Sequence, residues 1–148
     1  MGNFCSGITV ITSLDRDQPV GFACQSFQSL SLNPPLVSFS PSRASTTWPR
    51  IHRSGSFAVN ILAEDQDEMC AKFAVSGAEK FAGVRWRSAP SGAPLIEGVL
   101  AWLDCNIVAV HPGGDHVIVV GQVESLDICS EDAPLLFFRS EFRRLIDQ

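Results

Sequence analysis

Apolar residues in this chain fall in short β-branched or aromatic runs, separated by polar and Gly- or Pro-bearing stretches. Residues 8–12 (Ile-Thr-Val-Ile-Thr) are β-branched throughout and predict a strand. The polar segment Asp15-Arg16-Asp17-Gln18-Pro19 predicts a turn, and residues 20–27 a strand that pairs back as a hairpin. Pro34-Pro35 predicts a sharp, extended corner, followed by a third strand over 36–39. A helix is expected over 46–53, with Ser45 as N-cap, Pro49 within its first turn and Gly55 as its stop. Residues 57–62 form a fourth strand. A second helix over 65–74 follows from the capping-box spacing of Asp65 and Glu68 and from Met69 and Phe73 sharing a face. A weak strand over 84–87, a Pro/Gly/Ser turn over 88–94 and long strands over 99–110 and 117–126 come next. His111-Pro112-Gly113-Gly114-Asp115-His116 joins the long pair, and residues 135–139 make a last strand. Many short antiparallel strands with two helices among them predict a mainly β fold, a barrel with helical inserts.

Val117-Ile118-Val119-Val120 lacks the polar alternation of a strand with one wet face, so both of its faces should be covered. Composition points the same way: 45% of the 148 residues are hydrophobic and only 18% charged. Together these predict one domain over 1–148 that assembles as a homodimer. A net charge of −5 with no basic run excludes electrostatic binding of nucleic acid or an anionic membrane. No apolar run is long enough to span a bilayer, and the start of the chain does not read as a signal peptide. Five isolated cysteines lack the spacing of a disulfide framework or a zinc site, which predicts reduced thiols in the cytoplasm and no metal.

Two stretches are candidates for chemistry. Ser40-Pro41-Ser42-Arg43-Ala44-Ser45-Thr46-Thr47 gathers hydroxyls, one Arg and helix N-terminal amides at a strand-to-helix turn, a composition suited to phosphate. The same residues also make an ordinary Ser/Thr-capped helix start. Gly113-Gly114-Asp115-His116 reads as a hairpin turn carrying an exposed His. No nucleophile elbow is present, which leaves a hydrolase without support.

The order G-F-A-C-Q-S-F from Gly21, then S-L-N-P-P-L-V, then the Ser-rich turn before Trp48, resembles the short-chain flavin reductases. Lys80-Phe81-Ala82-Gly83, Gly114-Asp115-His116 with Gly121-Gln122-Val123, and Pro134 to Arg139 fit the same family. The resemblance covers nearly the whole chain, which begins where the family usually has an additional N-terminal helix. It implies an FMN-binding split β-barrel, antiparallel and Greek-key-like, and an NADH-dependent reductase. Such an enzyme supplies reduced FMN or FAD to a separate flavin-dependent oxygenase. It implies that Gly21, Phe22, Ala23, Gln25 and Ser26 run along the flavin ring. Ser40, Pro41 and Ser42 would follow the ribityl chain, and Ser45, Thr46 and Thr47 would meet the phosphate. Lys72, Phe73, Lys80 and Phe81 would flank the cofactor. His116 would receive the nicotinamide, with Phe137, Phe138, Arg139 and Ser140 contributing to the dinucleotide site. From the residues themselves, Phe73 is equally a core side chain, Lys80 an exposed Lys beside a packing Phe, and Arg43 a solvated loop arginine. A flavin-storage protein on the same barrel is the alternative function, and a related flavin-dependent oxidase a third.

Overall fold

A computed structural model describes residues 1–77 and 79–146. The strands are β1 (Ser6–Gly7), β2 (Thr9–Asp15), β3 (Gln18–Cys24), β4 (Gln28–Leu32), β5 (Pro35–Phe39) and β6 (Ser56–Ile61), then β7 (Trp86–Ser88), β8 (Pro94–Ile96), β9 (Ala101–Gly113), β10 (His116–Ile128), β11 (Leu136–Phe138) and β12 (Glu141–Arg143). Two short helices interrupt them, α1 (Trp48–Ser54) and α2 (Asp67–Phe73). Among the described residues no helix is long and apolar enough to cross a membrane.

Seven strands form one antiparallel sheet in the order β3-β2-β6-β9-β10-β5-β4. Its two edge strands, β3 and β4, are consecutive in sequence and joined by residues 25–27 alone. So short a link forces the sheet to curl until its edges approach. Among the described residues no ladder forms across that seam. In the link itself the Ser40 amide donates to Ser26 Oγ at 2.8 Å, which continues the β4–β5 pairing toward β3 without joining the two edges. The fold is therefore the expected split barrel.

β2 explains how an unbroken β-branched run is used. Ile11 faces a core cluster with Phe39 and Phe57, while Ile8 and Val10 face a second cluster with Leu62, Phe73 and Leu135. Both faces of the strand are covered, so no polar alternation is needed. Inside the barrel, Phe57 and Phe39 pack edge-to-face with centroids 4.9 Å apart. Phe39 carries the contact on to Trp48 of α1 at 6.0 Å. Each such ring contributes about 1.5–3 kcal/mol by leaving water. Gly121 of β10 makes room for this packing, because a Cβ there would lie 2.4 Å from Phe57 Cζ.

Several sequence expectations are corrected. Asp15 is the buried last residue of β2, and the turn is confined to Arg16 and Asp17, both at positive φ, as a two-residue hairpin requires. Pro19 lies within β3, where the unpaired outer side tolerates it. Pro34-Pro35 is no extended corner: β4 and β5 form a tight hairpin with Leu32 opposite Pro35. The predicted strand over 20–27 ends at Cys24. Pro94–Ile96, expected as part of a turn, pairs with β7. Helix α2 starts at Asp67 without the Asp65–Glu68 box. Instead the buried Gln66 accepts from the Ala63 amide and donates to the Glu97 carbonyl. Of the apolar tetrad in β10, Val117 and Val119 are buried while Ile118 is 40% exposed.

Gly121→Ala should destabilise the fold by roughly 1–3 kcal/mol through overpacking against Phe57. A urea midpoint lower than wild type with an unchanged slope would show it; an unchanged midpoint would mean that the Phe57 ring is free to move aside.

Candidate functional site

The seam leaves β3 with one side unpaired, and the site is built on that side. Lys80 Nζ donates to the Gly21 carbonyl at 3.1 Å, so this carbonyl points away from β2. Backbone direction alternates along a strand, which sends the N–H and C=O of Ala23 the same way. Gly21 is buried, and a Cβ there would come within 2.9 Å of the Ile11 carbonyl and 3.2 Å of the Phe73 ring. Only glycine fits without displacing backbone.

Two clefts open along this edge. One, of about 320 Å³, is lined by Phe22, Ala23, Ser42, Ser45, Phe73 and Val75, among others. The second, of about 450 Å³, is lined by Val20, Gly21, Arg50, Glu79 and Phe81. Thr46, Thr47 and Lys80 line both and join them. Phe73 is 1% exposed yet lines the first cleft, so it is at once a core residue and part of the wall. Phe81 packs edge-to-face on it at 5.0 Å. Lys80 is half-buried, and burial lowers its ammonium pKa.

The wall carrying Ser45, Thr46 and Thr47 is fixed by a residue that sequence reasoning placed in a turn. The Asp15 carboxylate, 4% exposed, accepts from Arg53 Nη2 at 2.6 Å and Nε at 3.0 Å and from Arg50 Nε at 3.0 Å. Hydrogen bonds from Arg53 and then Arg50 lower its pKa from 3.8 to about 2. These bonds clamp α1 onto the β2–β3 hairpin. The available signal was the spacing of Arg50 and Arg53, three apart and hence on one helix face. Ser45 Oγ accepts from the amides of Thr47 and Trp48. Those helix N-terminal amides are therefore occupied. The wall offers side-chain hydroxyls in their place.

His116 stands beside the first cleft, paired in an isolated bridge with Ser42. Its Nδ1 lies 2.7 Å from Asp115 Oδ1, and the hydrogen bond from His116 lowers the Asp115 pKa. Pro41 is buried, and its carbonyl accepts from the Val117 amide. Gln25 and Ser26 do not line either cleft. They face a third cavity of about 450 Å³ with Phe4, Ile8, Phe27 and Ile61.

Other candidates lie apart from the clefts. Lys72 donates to the Ala82 carbonyl, tying α2 to the following loop. Phe137 packs with the cluster that contains Phe73. Arg139 and Ser140 form the β11–β12 turn at positive φ. The Arg139 guanidinium lies over Phe138 and donates to Asn3 Oδ1 at 2.9 Å.

A barrel left open along one seam, with a glycine-floored and hydroxyl-walled cleft on the free edge, defines the class of protein. The chain belongs to the flavin reductase-like domain family, which matches residues 1–145. It is 50% identical over 142 residues to the flavin-dependent monooxygenase reductase subunit HsaB of Rhodococcus jostii, covering 96% of this chain and 73% of the relative. The crystal structure of nitrilotriacetate monooxygenase component B from Mycobacterium thermoresistibile superimposes with a TM-score of 0.95 at 48% identity, covering 98% of this chain and 82% of that one. The NADH:FAD oxidoreductase SgcE6 of Streptomyces globisporus C-1027, solved with NAD and FAD fragments, matches with a TM-score of 0.93 at 35% identity, covering 98% of this chain and 88% of that one.

Asp15→Asn should loosen α1 and lower the urea midpoint at neutral pH. A carboxylate whose pKa falls on folding stabilises fully above its unfolded value near ~4, and that contribution disappears as pH drops through the folded value. The gap between wild type and Asp15→Asn is therefore expected to close between about pH 4 and pH 2. A gap independent of pH would contradict the ion-pair account.

Proposed function

We propose that this protein is an NADH-dependent flavin reductase that binds FMN or FAD along the free edge of β3 and supplies reduced flavin to a separate monooxygenase. The observation that carries this reading is the Gly21–Ala23 edge. Its Gly21 carbonyl is held by Lys80, and the other outward backbone groups of Gly21 and Ala23 have no strand partner, over a floor where only glycine fits. A flat ring with polar atoms along one side suits such a ribbon, and a pocket needing a bulky side chain at position 21 would not.

The flavin ring itself accepts the hydride from the nicotinamide, so the chain has to bind, orient and exclude water. Gly21, Phe22 and Ala23 would hold the ring edge, while Gln25 and Ser26 open onto the separate cavity and take no part. Ser42, Ser45, Thr46 and Thr47 supply hydroxyls for the ribityl chain and phosphate, and Ser40 and Pro41 set the course of that loop. Lys80 ties the loop after α2 to the Gly21 and Phe73 carbonyls and lines both clefts. His116, its Nδ1 held by Asp115, would meet the nicotinamide through its other ring nitrogen. Arg139 would reach a dinucleotide only by giving up its bond to Asn3.

A homodimer accompanies this reading. Val108, Ile118, Leu126 and Ile128 stand 40–73% exposed along β9 and β10, and a second copy would cover them. Ile118→Glu should sediment as a monomer where wild type sediments as a dimer; wild type running as a monomer would remove the dimer from the account. The five thiols are unpaired, in keeping with a reducing cytoplasm.

Purified protein should oxidise NADH only when FMN or FAD is added. His116→Ala should raise the NADH KM roughly tenfold, about 1.4 kcal/mol, with flavin affinity unchanged. Flavin binding without NADH turnover in the wild type would make this a flavin-storage protein.

A further inference from the structure

We propose that Arg43 is the positioning residue of His116, and not a phosphate ligand: its guanidinium ties the β9–β10 tip to the loop that walls the cleft. The inference rests on the reductase reading above. Three consecutive residues of the loop grip the tip. The Val117 amide donates to the Pro41 carbonyl at 3.1 Å, Ser42 pairs with His116, and the Arg43 amide donates to the Asp115 carbonyl at 2.9 Å. These backbone contacts hold the root of the turn. Among them only the Arg43 side chain reaches its apex, where Nε donates to the Gly114 carbonyl at 2.8 Å.

The apex matters because Gly114 is at φ +74°, and the next residue, Asp115, sets the imidazole through the 2.7 Å contact with Nδ1. Both the backbone and the side chain of Arg43 therefore act on the two residues that orient His116. A hydrogen bond from a charged donor is stronger than a neutral one, and here it restrains an otherwise exposed two-residue turn. An arginine committed in this way is turned toward the hairpin, while Thr46 and Thr47 line the clefts.

The test compares Arg43→Ala, Arg43→Lys, His116→Ala and the double variant Arg43→Ala/His116→Ala. Arg43→Ala should raise the NADH KM about fivefold with kcat less affected, and Arg43→Lys should recover part of that loss. The Kd of FMN and of riboflavin should stay at wild-type values. In the His116→Ala background the Arg43 substitution should have no further effect on KM, since coupled residues are non-additive. Weakened FMN binding with riboflavin binding spared would assign Arg43 to the phosphate and overturn the proposal. Equal KM effects with and without His116 would also overturn it. The His116 ring resonances in NMR need no turnover: Arg43→Ala should shift them, and unshifted resonances would contradict the tie. Absence of flavin-dependent NADH oxidation in the wild type would sink the reductase reading instead, and the NMR arm would still decide the geometry.

Discussion

The structure depends on a strand left unpaired along one side. β3 and β4 end the sheet on opposite sides, yet residues 25–27 connect them, so the barrel must curl and stay unlatched along that line. An open sheet edge normally invites pairing with another chain. Here the edge is covered by side chains and loops: Lys80 caps the Gly21 carbonyl, and α2 packs Phe73 beneath it. What remains free is a short ribbon of backbone polar groups in a cleft. The site is thus a consequence of how the barrel fails to close.

Everything that completes the cleft is brought to that ribbon by a separate anchor. Asp15 holds α1, and with it Thr46 and Thr47, through Arg50 and Arg53, while Trp48 and Ile51 form the face of the helix that turns inward. Lys80 and Phe81 bring the loop after α2. The Pro41–Arg43 segment carries the hairpin tip and His116. In a chain with one charged residue in about five, several of the few charges serve as these anchors.

Much of this was legible in the sequence because local chemistry and final environment agree. The β-branched run of β2, the Gly55 stop of α1 at φ +81°, and the hairpin tip before His116 all follow rules that act within a few residues. Misreadings arose where distant residues decide. β4 alternates Leu30 and Leu32 with serines over only five residues and stays exposed along nearly its whole length, so the alternation marks no buried face and its pairing with β5 is what makes it a strand. β8 sits in a Pro- and Gly-rich stretch and is held by the buried Asn60, which donates to the Pro94 carbonyl region and accepts from the Ile96 amide. Asp15 looked like a turn residue because its partners lie more than thirty positions away. The flavin reductase resemblance supplied what periodicity could not, the grouping of Gly21 with Thr46, Thr47 and Lys80. It did not anticipate that Gln25 and Ser26 open onto a different cavity, or that Arg139 pairs with Asn3.

The most direct measurement is hydrogen exchange of individual amides with and without FMN. If the free edge of β3 holds the flavin, the outward amides of Gly21 and Ala23 should exchange several-fold more slowly once FMN is bound, together with those around Thr46. Flavin binding that leaves the Gly21 and Ala23 amides exchanging at the unliganded rate would contradict the account and place the ring elsewhere on the barrel.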